Sequence, residues 1–167
     1  MLPEGEPAKG PNMSTYLGLH YHLIFATKDR RPFFKPDIRD RVHEYLGGTV
    51  NGLGGESRTV GGVADHVHLL VSLRATHRLS DFLRDLKKGS SFWIKNELKL
   101  RQFQWQDGYA ALTVSPSGRN AVAKYIREQE AHHRKRSFRE EFMEILKKAE
   151  INYDPRFIDD DTREYLG

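Results

Sequence analysis

Apolar and polar residues alternate with a period near two over residues 15–27, TYLGLHYHLIFAT, which predicts a strand. Tyr21, Leu23 and Phe25 would share one face of it, and His20, His22 and Ile24 the other. The segment KDRRP breaks the pattern, and Pro36 suits the first turn of a helix carried to about Leu46 and ended by Gly47 and Gly48. Period two returns on a strand ending near Val63. A turn at Ala64 and Asp65 joins it to a second strand over residues 66–73. Within HVHLLVSL, His66, His68, Leu70 and Ser72 alternate with Val67, Leu69, Val71 and Leu73. Ser80 is placed to cap a helix with Phe82, Leu83, Leu86, Trp93, Ile94 and Leu98 at helical spacing. A short strand or two follows in residues 103–114, SPSG makes a turn, and Ser117 is placed to cap a helix over residues 119–133. The last periodic stretch, residues 138–148, reads as an amphipathic helix.

The order strand, helix, strand, strand, helix, strand, then helices predicts a ferredoxin-like α+β sandwich. An antiparallel sheet carries helices on one face, with further C-terminal helices. One domain is expected over residues 14–157. A polar Gly- and Pro-rich lead-in over 1–13, in which Met13 is a second possible start, precedes it, and an acidic tail over 158–167 with Asp159, Asp160 and Asp161 follows. The 167 residues contain no cysteine, which removes thiolate catalysis, disulfides and Cys-type zinc sites and fits a reducing cytoplasm. No apolar run approaches the roughly 20 residues of a membrane span. The net charge of +4 leans towards polyanions, and the basic residues cluster. Lys87, Lys88, Lys95, Lys99 and Arg101 form one group. Arg119, Lys124, Arg127, Arg134, Lys135, Arg136 and Arg139 form another.

Two patterns carry chemistry. His66 and His68 are two apart on a strand, so both imidazoles leave one face from Cα atoms roughly 7 Å apart, near enough to meet on one ion. The same spacing also suits two hydrogen-bonded histidines. His20 and His22 repeat it, and only the setting VGGVADHVHLLVSL, where glycines allow close backbone approach, singles out the later pair. Tyr125 and Gln129 are four apart and would stack on one face of a helix, with His132 and His133 further along. A free phenol ionises near pH 10, so a nucleophilic tyrosine needs a cationic or metal setting. The glutamine carbonyl is a hard oxygen that suits Mg²⁺ or Mn²⁺ beside imidazoles. A packing tyrosine and an ordinary helical glutamine fit the same spacing.

Taken together, HYHLIFATKDRRPFF, HEYLGG, VGGVADHVHLLVSL, FQWQDGYAALTVSPS and YIREQEAHHRKRSFREEF resemble the small single-tyrosine transposases of insertion sequences, the IS200-like type within the HUH endonuclease superfamily. The resemblance implies Tyr125 as nucleophile and His66, His68 and Gln129 as ligands of a divalent metal, Mg²⁺ or Mn²⁺. It implies cleavage and rejoining of single-stranded DNA at hairpin ends through a 5′-phosphotyrosine, by a homodimer, with the histidines serving the tyrosine either of the same subunit or of the other. Arg30, Arg31, Lys87, Lys88, Arg134 and Lys135 are the expected nucleic-acid contacts, and His20 and His22 are expected to stand outside the site. The alternative is a domesticated, non-catalytic protein that binds single-stranded DNA or RNA hairpins.

Overall fold

The computed structural model describes residues 15–158. The lead-in expected at 1–13 and the acids Asp159, Asp160 and Asp161 lie outside them. The elements run β1 (His20–Ala26), α1 (Pro36–Gly52), β2 (Glu56–Gly62), β3 (His66–Ser72), α2 (Leu79–Glu97), β4 (Ala110–Val114), α3 (Arg119–Arg127), α4 (Gln129–His133) and α5 (Phe138–Lys148). The strands form one antiparallel sheet in the order β2-β3-β1-β4, the expected ferredoxin-like arrangement.

Because side chains alternate across a strand, β1 and β3 supply two cores. Leu23, Phe25, Val67, Leu69 and Val71 face α1 and α2, where they meet Val42, Leu46, Val50, Phe82, Leu83, Leu86 and Ile94. Phe34, Phe103 and Trp105 close that layer in edge-to-face and tilted ring contacts. The opposite face is smaller and more polar. Ile24, Ala26 and Ala110 meet Phe138, Phe142 and Ile145 of α5, while His22, His66 and His68 lie buried on the same side. The register explains this grouping: Ile24 stands opposite His68, and Gly61 of β2 opposite it on the other side.

Several boundaries differ from the sequence expectation. α1 runs through Gly47 and Gly48 to Gly52 because the next turn buries Val50. Burying that side chain gains roughly 1.5–3 kcal/mol, which offsets the roughly 2 kcal/mol that Gly47 and Gly48 together cost relative to alanine. α2 starts at Leu79 with Arg78 as cap, not Ser80, so that Leu79 reaches the core. β1 begins only at His20; of the preceding residues, Leu19 accepts a bond from the Leu73 amide at 2.9 Å. Residues 103–109 are not strand. Trp105 makes one bridge to Thr27, and Lys87 Nζ ties this stretch down by donating to the carbonyls of Gln106 and Gly108, at 2.7 Å each. Both tryptophans are packing residues: Trp105 bonds Ser90 through its indole N–H, and Trp93 stacks on Tyr45.

The helix expected over 119–133 breaks at Glu128, whose φ of −97° and ψ of 20° end α3 before α4 begins. Tyr125 and Gln129 therefore straddle a kink. The Glu128 amide still donates to the carbonyls of Lys124 and Tyr125, and the Gln129 side-chain amide reaches the Tyr125 carbonyl at 3.4 Å.

Candidate active site

The site is built on β3. His66 and His68 project from it towards α3, α4 and α5, and both are completely buried. The turn before β3 is fixed from outside: the Thr27 amide donates to the Asp65 carbonyl at 2.8 Å and the Phe34 amide to the Ala64 carbonyl at 2.9 Å. This holds Asp65 so that its Oδ1 lies 2.7 Å from His66 Nδ1. On the other histidine, Nδ1 of His68 lies 2.8 Å from His22 Nε2 on β1. Each candidate ligand thus has a side chain fixing its rear nitrogen, the usual means by which an imidazole is oriented towards an ion. This corrects the expectation that His22 stands outside the site. Antiparallel pairing brings it beside His68, whereas His20 turns away to Ser72 Oγ at 2.7 Å.

α3 approaches the sheet unusually closely. A Cβ on Gly61 would lie 2.3 Å from the Ile126 carbonyl oxygen, so only a glycine admits this helix at this depth. Ile126 is buried in consequence, and its neighbour Tyr125 stands edge-on to His68, with ring centroids 5.9 Å apart. The kink brings Gln129 Oε1 to 3.2 Å from His66 Nε2 and 3.1 Å from His133 Nε2. The four residues expected to act together, His66, His68, Tyr125 and Gln129, meet within a single chain.

At their centre stands a residue the sequence reading missed. Glu141 of α5 is fully buried, with Oε1 3.0 Å from His68 Nε2 and 3.8 Å from His66 Nε2. Its Oε2 accepts from the Tyr125 hydroxyl at 2.6 Å and lies 3.1 Å from His133 Nε2. A signal was present. Phe138, Phe142 and Ile145 mark the apolar seam of α5, and position 141, one turn after Phe138, falls on it with a carboxylate. Burial alone would raise the Glu141 carboxyl, but bonds from His133 and His68 hold it far below the ordinary range. Burial, then the bond to Glu141, pushes the Tyr125 phenol well above its ordinary value.

The donor set suits a divalent cation. With Asp65 accepting from His66 Nδ1–H, the Nε2 lone pair of His66 faces Gln129 Oε1, itself an acceptor. Ligand atoms of His66, His68 and Glu141 all lie within 4.8 Å of one another. Acceptors converging on one buried point repel unless a proton or cation lies among them. Two imidazoles with the Gln129 amide oxygen form a mixed set that Mn²⁺ or Mg²⁺ accepts, and the Glu141 carboxylate beside them supplies the kind of negative charge that such an ion would meet on a phosphodiester.

The expected nucleic-acid contacts separate. Arg30 and Arg134 line one cleft of about 520 Å³ beside His133, with Arg39 and Arg136. Arg31 lies over the Phe33 ring and Lys135 is exposed next to Arg134. Lys87 and Lys88 sit on α2, in the layer on the other face of the sheet.

A model of the IS200-like transposases matches residues 15–129. The chain belongs to the IS200-like transposase family. The ISDra2 transposase TnpA of Deinococcus radiodurans is 32% identical over 117 residues, covering 66% of this chain and 84% of that protein. A candidate transposase from the same bacterium, solved by crystallography, aligns with TM-score 0.57 and 29% identity over 70% of this chain and 95% of that one. A REP-associated tyrosine transposase bound to a REP hairpin aligns with TM-score 0.54 over 72% of this chain and 74% of its own; at 16% identity that likeness is one of fold. The family implies DNA cleavage and strand transfer. The family match of this IS200-like transposase ends at Gln129, so α5 and Glu141 stand beyond it. No helix among the described residues is long and apolar enough to cross a membrane.

Burial of the histidines has a consequence for stability. Burial lowers His22 to about 3 and His68 and His43 to about 4, and His43 Nε2 has no hydrogen-bond partner. Below pH 6.5 the unfolded chain binds protons that the folded chain does not, so stability is fully present above pH 6.5 and is lost as pH falls towards 4. The slope approaches about 1.4 kcal/mol per pH unit for each histidine. Urea midpoints measured in EDTA should be flat from pH 7 to 8 and fall steeply between pH 6 and 4.5. A flat profile down to pH 4.5 would show that these imidazoles are not buried neutral.

Proposed function

We propose that the protein cuts and rejoins single-stranded DNA with hairpin ends, in the cytoplasm and as a homodimer, through a 5′-phosphotyrosine on Tyr125. The observation that carries the reading is the meeting of the Tyr125 hydroxyl with His66, His68 and Gln129 around one buried anionic position in a chain of this family. His66, His68 and Gln129 would hold the divalent ion, Mg²⁺ or Mn²⁺. Such an ion, when bound, neutralises charge developing on a phosphodiester. Tyr125 Oη attacks phosphorus as its proton passes to water; the new P–O bond forms, the bond to the 3′ oxygen breaks, and that oxygen takes up a proton from water. The released 3′-hydroxyl keeps the way open for the reverse attack on another strand, so no nucleotide cofactor is needed. Asp65 and His22 orient the ligand imidazoles. Arg30, Arg31, Arg134 and Lys135 would hold strand phosphates, and Lys87 and Lys88 would meet DNA on the far face.

The test is a labelled hairpin with a single-stranded flank, incubated with Mn²⁺ and resolved under denaturing conditions. A protein–DNA adduct is expected, and none with a perfect duplex. Binding without any adduct would favour the non-catalytic alternative.

The ligand roles have their own test. In Mn²⁺ titrations followed by electron paramagnetic resonance, His66→Ala and His68→Ala should abolish binding. His22→Ala and Asp65→Ala should weaken it by about 10–100-fold, and His20→Ala should leave it unchanged. Equal effects of His20→Ala and His22→Ala would remove His22 from the site.

A further inference from the structure

His66, His68 and Glu141 are all sealed from solvent, yet the proposed chemistry needs a phosphodiester of a long polymer between the imidazoles and Tyr125. Glu141 fills that position. One oxygen faces the two ligand imidazoles; the other accepts from the Tyr125 hydroxyl and faces His133. A single negative charge thus bridges ligands and nucleophile through two oxygens on one centre, as the non-bridging oxygens of a phosphodiester would. Both do not fit one closely packed place.

We propose that Glu141 holds the place of the scissile phosphodiester and that α5 is a displaceable cover, which single-stranded DNA lifts before Tyr125 can attack. The identity of the displacing ligand rests on the function proposed above.

α5 lies beyond residues 15–129, the stretch that matches the family and holds all four expected site residues. A non-helical turn over 134–137 joins it to α4, and a capping box between Ser137 and Glu140 starts the helix independently of that turn. Its apolar hold is slight beside the core on the other face. Phe138 stacks on His66 with centroids 4.2 Å apart and packs with Ile24, Ala26 and Ala110; Leu146 is the other buried apolar side chain of the helix, and Phe142 and Ile145 are partly buried.

The same turn offers a way for DNA to act on the cover. Arg134 and Arg136 line the arginine-rich cleft beside His133, and Arg136 is paired with Glu144 of α5. Across the cleft, Arg39 is paired with Glu130 at 2.8 Å. A strand whose phosphates enter the cleft competes with these carboxylates for the guanidinium groups. Taking Arg136 from Glu144 loosens α5 at its hinge end, and the next phosphate then competes with Glu141 itself.

The experiment uses the full chain in EDTA, so that binding is read without cleavage. A fluorescent hairpin with a single-stranded flank should bind Glu141→Gln and Glu141→Ala about tenfold more tightly than wild type. In wild type, hydrogen exchange of residues 138–148 should accelerate when saturating hairpin is added, although binding ordinarily slows exchange. With Mn²⁺ restored, Glu141→Gln should form the adduct at least about threefold faster. Slower exchange of α5 on DNA binding overturns the cover, as does equal or weaker binding by a Glu141→Gln protein of native circular dichroism. Loss of the adduct in that variant also overturns it, making Glu141 a required part of the site. If the variants do not fold, the exchange experiment on wild type decides. A wild-type protein that binds the hairpin but forms no adduct counts against the strand-transfer reading alone, because the binding and exchange results judge the cover without cleavage.

Discussion

Tyr125→Phe is expected to abolish the covalent protein–DNA adduct while leaving hairpin affinity and the fold in place. The substitution removes one oxygen and keeps the ring, which packs among His22, His68 and His132 with centroids 6.3, 5.9 and 4.6 Å away. The Tyr125 hydroxyl donates its one proton to Glu141, so the cost to stability should stay within about 1–3 kcal/mol. Loss of a nucleophile, by contrast, lowers a covalent step by about 10⁴-fold or more. Tyr109→Phe, a change at a tyrosine 42% exposed, is the control and should leave the adduct intact. The rate is read as label resistant to denaturation, with affinity measured in parallel by anisotropy. A Tyr125→Phe protein that still forms the adduct would assign the nucleophile elsewhere, and unchanged affinity would show that the loss is chemical.

What the sequence revealed of this site was whatever depends on one strand or one helix. The alternation of HVHLLVSL placed His66 and His68 on one face, and the four-residue spacing placed Tyr125 near Gln129, even across the kink at Glu128. The two glycines before the turn also signalled a close approach, which Gly61 makes to Ile126. What remained hidden depends on pairing between distant elements. His22 enters the site because β1 lies antiparallel to β3 in a register that brings it beside His68, and no local pattern states that register. Glu141 enters because α5 folds back over the sheet, 73 positions from His68. The basic clusters illustrate the converse: close in composition, they are divided between opposite faces of the sheet, and Lys87 spends its charge on two backbone carbonyls. Helix ends were misplaced where tertiary burial outweighed local propensity, as with Val50 beyond Gly47 and Gly48.

Gly61→Ala should be nearly as damaging as loss of the nucleophile, although residue 61 carries no chemical group. The added methyl would lie 2.3 Å from the Ile126 carbonyl oxygen and 2.9 Å from Ile126 Cγ2. The first of these atoms is backbone, so a side-chain rotation does not relieve the clash; α3 must back away from β2. Overpacking of this kind costs about 1–3 kcal/mol, and the kinetic penalty is expected to be larger. Tyr125 precedes Ile126, and a displacement of about 1 Å at a reacting group is enough for a loss of ~10²-fold. The adduct rate at saturating hairpin should therefore fall about 100-fold or more, with hairpin affinity and Mn²⁺ affinity much less affected. Gly48→Ala makes the same chemical change on α1 at an exposed position where nothing lies within 4 Å of the new methyl. It should stabilise the chain by up to about 1 kcal/mol and leave the rate alone. If Gly61→Ala cleaves as fast as wild type, then α3 does not act from the depth at which it is docked here. Tyr125 would then reach the DNA from some other position, including one supplied across a dimer.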